Sequence, residues 1–259
     1  MGIYDRDYYR DSPRRGGFGM FSIVSVNGWL IILNVAVFLI DQVLRRPLFD
    51  EYDRFVGMWR PVEAYGYFSK TMAIDHLQLW RFVTFQFLHA NLGHIFSNML
   101  SLFLFGPIVE NYLGRRRYLG FYLLCGCSGA VAYLLLLMVG VLQGANVPLV
   151  GASAGIFGVL VAGAILAPDV TIMLLFPPIP MRLKYLALIL VAWAAYTAIT
   201  NGNNAGGQAA HLGGALLGFV LIRYPHSLDF LERWGGRGYR IRSRRGRAQV
   251  TDWSKNFDR

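Results

Sequence analysis

Apolar residues in this chain come in long blocks rather than in the two-residue alternation of a half-buried strand. Six blocks stand out, at about 26–44, 92–112, 118–142, 153–167, 183–200 and 209–224. A helix rises 1.5 Å per residue and the hydrocarbon core of a bilayer is about 30 Å thick, so such blocks predict spanning helices. Block 153–167 covers only roughly 22 Å on that scale. It predicts a short helix, met below the surface by the preceding segment Gly144-Ala-Asn-Val-Pro-Leu-Val150. Irregular backbone at such depth is stable only where protein or a water-filled cavity surrounds it.

Between Arg45 and Asn91 lies a long polar interlude, with a Trp59-Arg60-Pro61 turn and an aromatic Tyr65-Gly-Tyr67-Phe68 cluster. Its apolar piece from Trp80 to Leu88 is too short to cross, which predicts a loop partly inserted at the membrane interface. The expected fold class is an all-α membrane protein, a bundle of six transmembrane helices with a large, partly inserted first loop. A polar tail is expected over 1–25, the six-span body over 26–224 and an arginine-rich tail over 225–259. The first apolar block starts late and lacks a small-residue exit, so a cleaved signal peptide is not expected.

Composition points the same way. Hydrophobic residues make up 55% of the 259 and charged residues 15%, too little charge to cover a soluble domain. The net charge of +10 gathers in the tails and in particular loops. Because these arginines flank apolar spans, they read as orientation signals and headgroup contacts, and nucleic-acid binding is set aside. Arg115, Arg116 and Arg117 follow the second span, and Arg182 and Lys184 flank the point where the loop after the fourth span enters the fifth. Segments 143–150 and 201–208 carry no lysine or arginine. Both termini are therefore expected in the cytoplasm. The first loop, with Arg45, Arg46, Arg54, Arg60, Lys70 and Arg81, runs against that count. Its distal charges weigh less, and Arg81 is expected inside the fold. Cys125 and Cys127 are too close in sequence to staple anything and predict packing.

With this topology, spans two, four and six enter from the outer face. His94 and Asn98, Ser153, and His211 then lie at similar depth, roughly 5–10 Å below their helix entrances. Ionisable groups in a bilayer normally face the protein interior or a wet cavity. Gly151-Ala152-Ser153-Ala154-Gly155 matches the G-x-S-x-G pattern of a soluble nucleophile elbow, but that elbow needs a strand-to-helix turn. A serine hydroxyl needs a base to take its proton, and His211 is the base available. No Asp or Glu falls at that depth, so the chemistry expected is a Ser153–His211 dyad. The Ser153 N–H, the Asn98 side chain and His94 are suitable donors for an oxyanion. Gly214 and Gly218, four residues apart, would let span six approach span four closely. No metal-ligand spacing and no phosphate-binding glycine loop is present, so neither a metal nor another cofactor is expected.

These residues resemble the rhomboid intramembrane serine proteases. The resemblance rests on Gly151-Ala-Ser153, on His211 with Gly214 and Gly218, and on His89-Ala-Asn-Leu-Gly-His94-Ile-Phe-Ser-Asn98. Trp80-Arg81 and Glu110-Asn-Tyr-Leu-Gly114 extend it, so that it covers about 26–224. It implies a serine endopeptidase that cuts single-span or multi-span membrane proteins within or beside the lipid bilayer. Ser153 would be the nucleophile, His211 the base, and Asn98 and His94 the lining of the oxyanion hole. Arg81 and Glu110 would hold the first loop against the core. Phe157 stands where the family often has a tyrosine stacked on the catalytic histidine, and Trp193 where substrate access is thought to be gated. His89 is expected to hydrogen-bond within the first loop or hold a water. A compact six-span form is similar to bacterial rhomboids, which implies the inner membrane. Two other classes are a non-catalytic rhomboid-like protein that binds membrane clients, and a transporter built from broken helices. The first typically lacks the serine or the histidine. The second would show repeat symmetry and polar groups towards both faces.

Overall fold

A computed structural model describes residues 24–143, 147–174 and 177–233. Nearly all of the N-terminal tail, the C-terminal arginines from Arg237 onward and residues 144–146 lie outside the described residues. Six long helices account for the six apolar blocks: α1 (Val26–Leu44), α4 (Leu92–Leu113), α5 (Arg115–Met138), α6 (Ser153–Leu166), α7 (Leu183–Ile199) and α8 (Ala205–Arg223). Shorter pieces are α2 (Pro61–Gly66) and α3 (Arg81–Thr84) in the first loop, and α9 (Phe230–Arg233). Helices α1, α4, α5 and α8 are long and apolar enough to cross a membrane, while α6 and α7 are shorter apolar helices. Leu39, Ile40 and Val43 on α1, Phe96 and Phe103 on α4, and Leu188 and Ile189 on α7 are exposed. A soluble monomer rarely shows so much apolar surface. The architecture is a helical membrane bundle.

Some boundaries differ from the apolar blocks. α5 starts at Arg115 rather than Tyr118, because arginine stems lie along a helix while their heads reach water. α8 starts at Ala205 rather than Ala209, so Gly206, Gly207 and Gln208 are helical despite their loop-like composition. Two small antiparallel hairpins were not foreseen: β1 (Arg46–Phe49) with β2 (Phe55–Trp59), and β3 (Thr171–Met173) with β4 (Pro180–Arg182). The tail expected from residue 225 begins as folded chain. Leu228 is buried, and Arg117 pairs with Asp229 at 2.9 Å and with Glu232 at 3.1 Å.

Buried polar residues fix how α1 sits. Asn27, Asn34 and Asp41 recur at a helical repeat and all face inward. The Glu110 carboxylate accepts hydrogen bonds from the Val26 and Asn27 N–H groups at 2.8 and 2.9 Å, donors that a helix start leaves without partners. Asn27 donates to the Leu102 carbonyl at 2.8 Å and accepts from the Tyr118 hydroxyl at 2.7 Å. Asp41 meets Arg60 at 2.6 Å, and Arg60 also pairs with Glu63. Arg60 donates further to the carbonyls of His89 and Ala90 at 2.8 and 3.1 Å. The first loop is thereby tied to the end of α1 and to the strand of backbone leading into α4.

Small residues let α8 pack closely on α5 and α6, its most extensive neighbours. A Cβ on Gly214 would collide with the Ala154 carbonyl, and one on Gly218 would fall 2.5 Å from the Gly158 α-carbon. Replacing Gly214 by valine should therefore wedge the two helices apart at a cost of about 1–3 kcal/mol, typical of an overpacked core. Thermal unfolding of the purified protein in mild detergent should show a lowered midpoint. An unchanged midpoint would mean that the helices are not packed this closely.

Candidate active site

Ser153 is the first residue of α6, and its side chain sits beside that of His211, in the second turn of α8. Nε2 of His211 is 2.7 Å from the Ser153 Oγ. One turn along α6, the Phe157 ring stacks on the imidazole with centroids 4.2 Å apart and planes 11° from parallel. The stacking expected at position 157 is made by a phenyl ring without a hydroxyl. On its other edge, His211 Nδ1 is 2.9 Å from Oε1 of Gln208. The sequence reading missed Gln208 because it looked for a carboxylate. The available signal was spacing: residues three apart on a helix share a face.

A cavity of about 660 Å³ opens onto this pair. His94, Asn98, Ser153, Phe157, Trp193, Gln208 and His211 all line it. Asn98 is buried and its amide Nδ2 makes no hydrogen bond, which leaves a donor unspent in the cavity wall. Gly151 has φ +127, and a Cβ there would fall 2.7 Å from Cε1 and Nε2 of His94 and 3.6 Å from the Ser153 Oγ. Glycine is thus required twice at 151, by backbone conformation and by the imidazole pressed against it. Ser97 and Ser101 of α4 and Leu190 and Trp193 of α7 line the same cavity. Trp193 is 61% exposed, so its ring belongs both to the cavity and to the outer surface of the bundle.

The loop before α6 is held from the first-loop side. Leu149 exchanges backbone hydrogen bonds with Phe68 at 2.7 and 3.0 Å, and the Gly151 N–H donates to the Phe85 carbonyl at 2.9 Å. Phe68, Phe85 and Leu149 are all buried, so from Leu149 onward this loop runs into the body of the protein. Asn91 caps α4 by accepting from the His94 N–H at 2.9 Å, which sets the direction in which His94 leaves the helix.

Arg81 is 3% exposed, as expected of a residue inside the fold. It donates to Gln78 at 2.7 Å and to the carbonyls of Tyr67 and Ala64 at 2.6 and 3.1 Å. Its guanidinium organises the first loop from within. Glu110 does not join it. That residue lies about 24 Å along α4 from His94, and it holds the start of α1 rather than the first loop. The carboxylate found stronger partners in two unpaired N–H groups than in a distant guanidinium. His89 is buried edge-on to His94 with ring centroids 5.1 Å apart. The Phe87 carbonyl of the first loop lies close enough to favour its charged form, although neither ring nitrogen makes a hydrogen bond of good geometry with the protein. Burial first, then the neighbouring His94, lowers the His89 pKa to about 3, so its ring is neutral. Gly214 and Gly218 stand where α8 crosses α6. Among the described residues, no three His, Cys, Asp or Glu side chains gather as a metal-binding group.

Comparison with known proteins identifies relatives of the chain. The family model described as Rhomboid domain matches residues 76–227. RHOMBOID-like protein 1 of Arabidopsis thaliana is 28% identical over 232 residues, covering 81% of this chain and 56% of that protein. Rhomboid protease AarA of Providencia stuartii is 28% identical over 213 residues, covering 77% of this chain and 73% of its own. Rhomboid protein 1, mitochondrial, of Saccharomyces cerevisiae is 29% identical over 198 residues, covering 74% and 50%. The chain spans about half the length of the first and third of these relatives. Since the family match extends over more than half of the chain, this multi-pass membrane protein belongs to the rhomboid family.

Proposed function

We propose that the protein is an intramembrane serine protease that hydrolyses peptide bonds of membrane-spanning substrates. The observation that carries this reading is the 2.7 Å approach of His211 Nε2 to the Ser153 Oγ, inside a cavity that α4 and α7 both line. A serine becomes nucleophilic when an adjacent base takes its proton as it attacks. In this reading the Ser153 Oγ attacks the scissile carbonyl while Nε2 accepts the Oγ proton. The tetrahedral oxyanion is met by the Ser153 N–H, which has no intrahelical partner at the start of α6, and by the unspent Asn98 amide. His94, pressed against Gly151, is the third donor beside it. Nε2 then passes its proton to the departing amine nitrogen as the C–N bond breaks. Water, activated by the same imidazole, releases the acyl-enzyme.

Substrates would be single-span or multi-span membrane proteins, drawn from the lipid bilayer between α4 and α7 past Trp193. The six-span body over 26–224 is proposed as the catalytic domain, with both termini cytoplasmic and the site towards the outer face. Likeness to the Providencia stuartii protease supports a bacterial inner membrane. Both the serine and the histidine are present and in contact, which favours catalysis over client binding.

Purified wild-type protein incubated with a panel of single-span substrates should produce cleavage, and Ser153→Ala or His211→Ala should abolish it with the fold retained. Continued proteolysis by the purified Ser153→Ala protein would overturn the assignment. Removal of the stacking ring by Phe157→Ala should lower kcat on the order of tenfold, because a mobile imidazole spends less time aligned on Oγ. Phe157→Tyr should stay near wild type. Equal rates for Phe157→Ala and wild type would show that the stack does not align the base.

A further inference from the structure

We propose that Gln208 is a positioning residue that selects the working tautomer of His211, making a Ser–His–Gln triad in which only the serine and the histidine exchange a proton. This rests on the protease reading and goes beyond the two-residue dyad. The geometric basis is the 2.9 Å contact between Gln208 Oε1 and His211 Nδ1, on the ring edge away from Ser153. A neutral imidazole carries a single ring proton, so the occupation of one nitrogen decides what the other can do. Nε2 can accept the Ser153 proton only while its lone pair is free, which requires the ring proton on Nδ1. A proton on Nδ1 needs an acceptor, and among the described residues Gln208 Oε1 makes the hydrogen bond at that atom. The opposite tautomer would point Nε2–H at Oγ and leave the serine without a base.

Proton bookkeeping through the step is simple. As the Ser153 Oγ bonds to the carbonyl carbon, its proton moves to Nε2, and the ring becomes an imidazolium with both nitrogens protonated. The Nδ1–H remains in place and donates to Gln208 Oε1 throughout. That hydrogen bond strengthens once its donor is charged, so it favours the transition state over the resting state. When Nε2 hands its proton to the leaving amine, the ring returns to the Nδ1–H tautomer, already set for the hydrolytic half. Gln208 itself neither gains nor loses a proton.

An amide suits this place for a physical reason. A carboxylate would hold the tautomer equally well, and at this part-buried place on the cavity wall it would carry a moderate desolvation cost that a neutral amide does not. Gln208 offers the same acceptor geometry without charge. It lies one helical turn before His211, so both side chains are carried by one rigid element. Gly213 and Gly214 of that helix are packed against α5 and α6, which limits how far either side chain can drift.

The test compares three variants of full-length protein on one cleavable membrane substrate, with kcat and KM measured separately. Gln208→Met keeps side-chain length but removes the oxygen acceptor, and kcat should fall on the order of tenfold or more, the factor one hydrogen bond to a charged group is worth. KM should be little changed. Gln208→Glu keeps an acceptor and should retain most of the wild-type kcat. Gln208→Ala opens space rather than adding bulk, and it should reproduce the Met loss even if Gln208→Met does not fold. Wild-type kcat in the Met or Ala variant would overturn the proposal, as would equal losses in Glu and Met, or an effect confined to KM. If wild type cleaves and Ser153→Ala does not, any of those results defeats the Gln208 role alone. If wild type cleaves nothing, the protease reading falls and this role with it.

Discussion

The close approach of α8 to α6 is the constraint on which the site depends. Gly214 lies against the Ala154 carbonyl and Gly218 against Gly158, so the two backbones come nearer than any side chain would allow. Only at that separation does an imidazole on α8 reach a hydroxyl on α6 at 2.7 Å. In a bilayer the hydrophobic effect gives helices little reason to associate, and close van der Waals packing of small residues takes its place. Packing and the proposed chemistry are therefore one requirement here, because a methyl group at either glycine would move the imidazole away from the hydroxyl.

A second set of contacts holds the opposite wall. His94 and Asn98 are carried by α4, whose start is fixed by Asn91 and by the carbonyls of His89 and Ala90 bound to Arg60. Arg60 is anchored by the carboxylate of Asp41, a buried residue of α1, and Arg81 gathers the rest of the first loop around its guanidinium. The charges of Asp41 and Arg60 are tolerated because they are paired, and that of Arg81 because its donors meet carbonyl and amide oxygens. Gln86 completes the attachment, donating to the Leu123 carbonyl at 3.3 Å in the space that Gly126 leaves open. The first loop is thus a buttress for the wall of the cavity that carries His94 and Asn98.

Much of this was legible from the chain alone, for identifiable reasons. The block at 26–44 announced its helix because its apolar length matches the thickness of a bilayer. Ser153, His211, His94 and Asn98 stood out because polar groups are costly in such blocks, and the structure brings all four to one cavity. What was hidden depends on tertiary partners. Nothing local marks Arg60 as the link between Asp41 and the backbone before α4. Glu110 looked like a partner for the first loop until the unsatisfied N–H groups of α1 were seen to claim both its oxygens. Gln208 was masked by two glycines and by the search for a carboxylate. The hairpins after α1 and α6 follow from strand pairing that no periodicity in segments so short can signal.

The central claim is that Ser153 is a nucleophile activated by His211. Treating the purified protein with a fluorophosphonate and locating the adduct by mass spectrometry tests it most directly. The expected result is a covalent adduct on Ser153 in wild type and little or none on Ser153 in His211→Ala. A folded wild-type protein whose Ser153 stays unmodified, or one labelled equally well without His211, would contradict it.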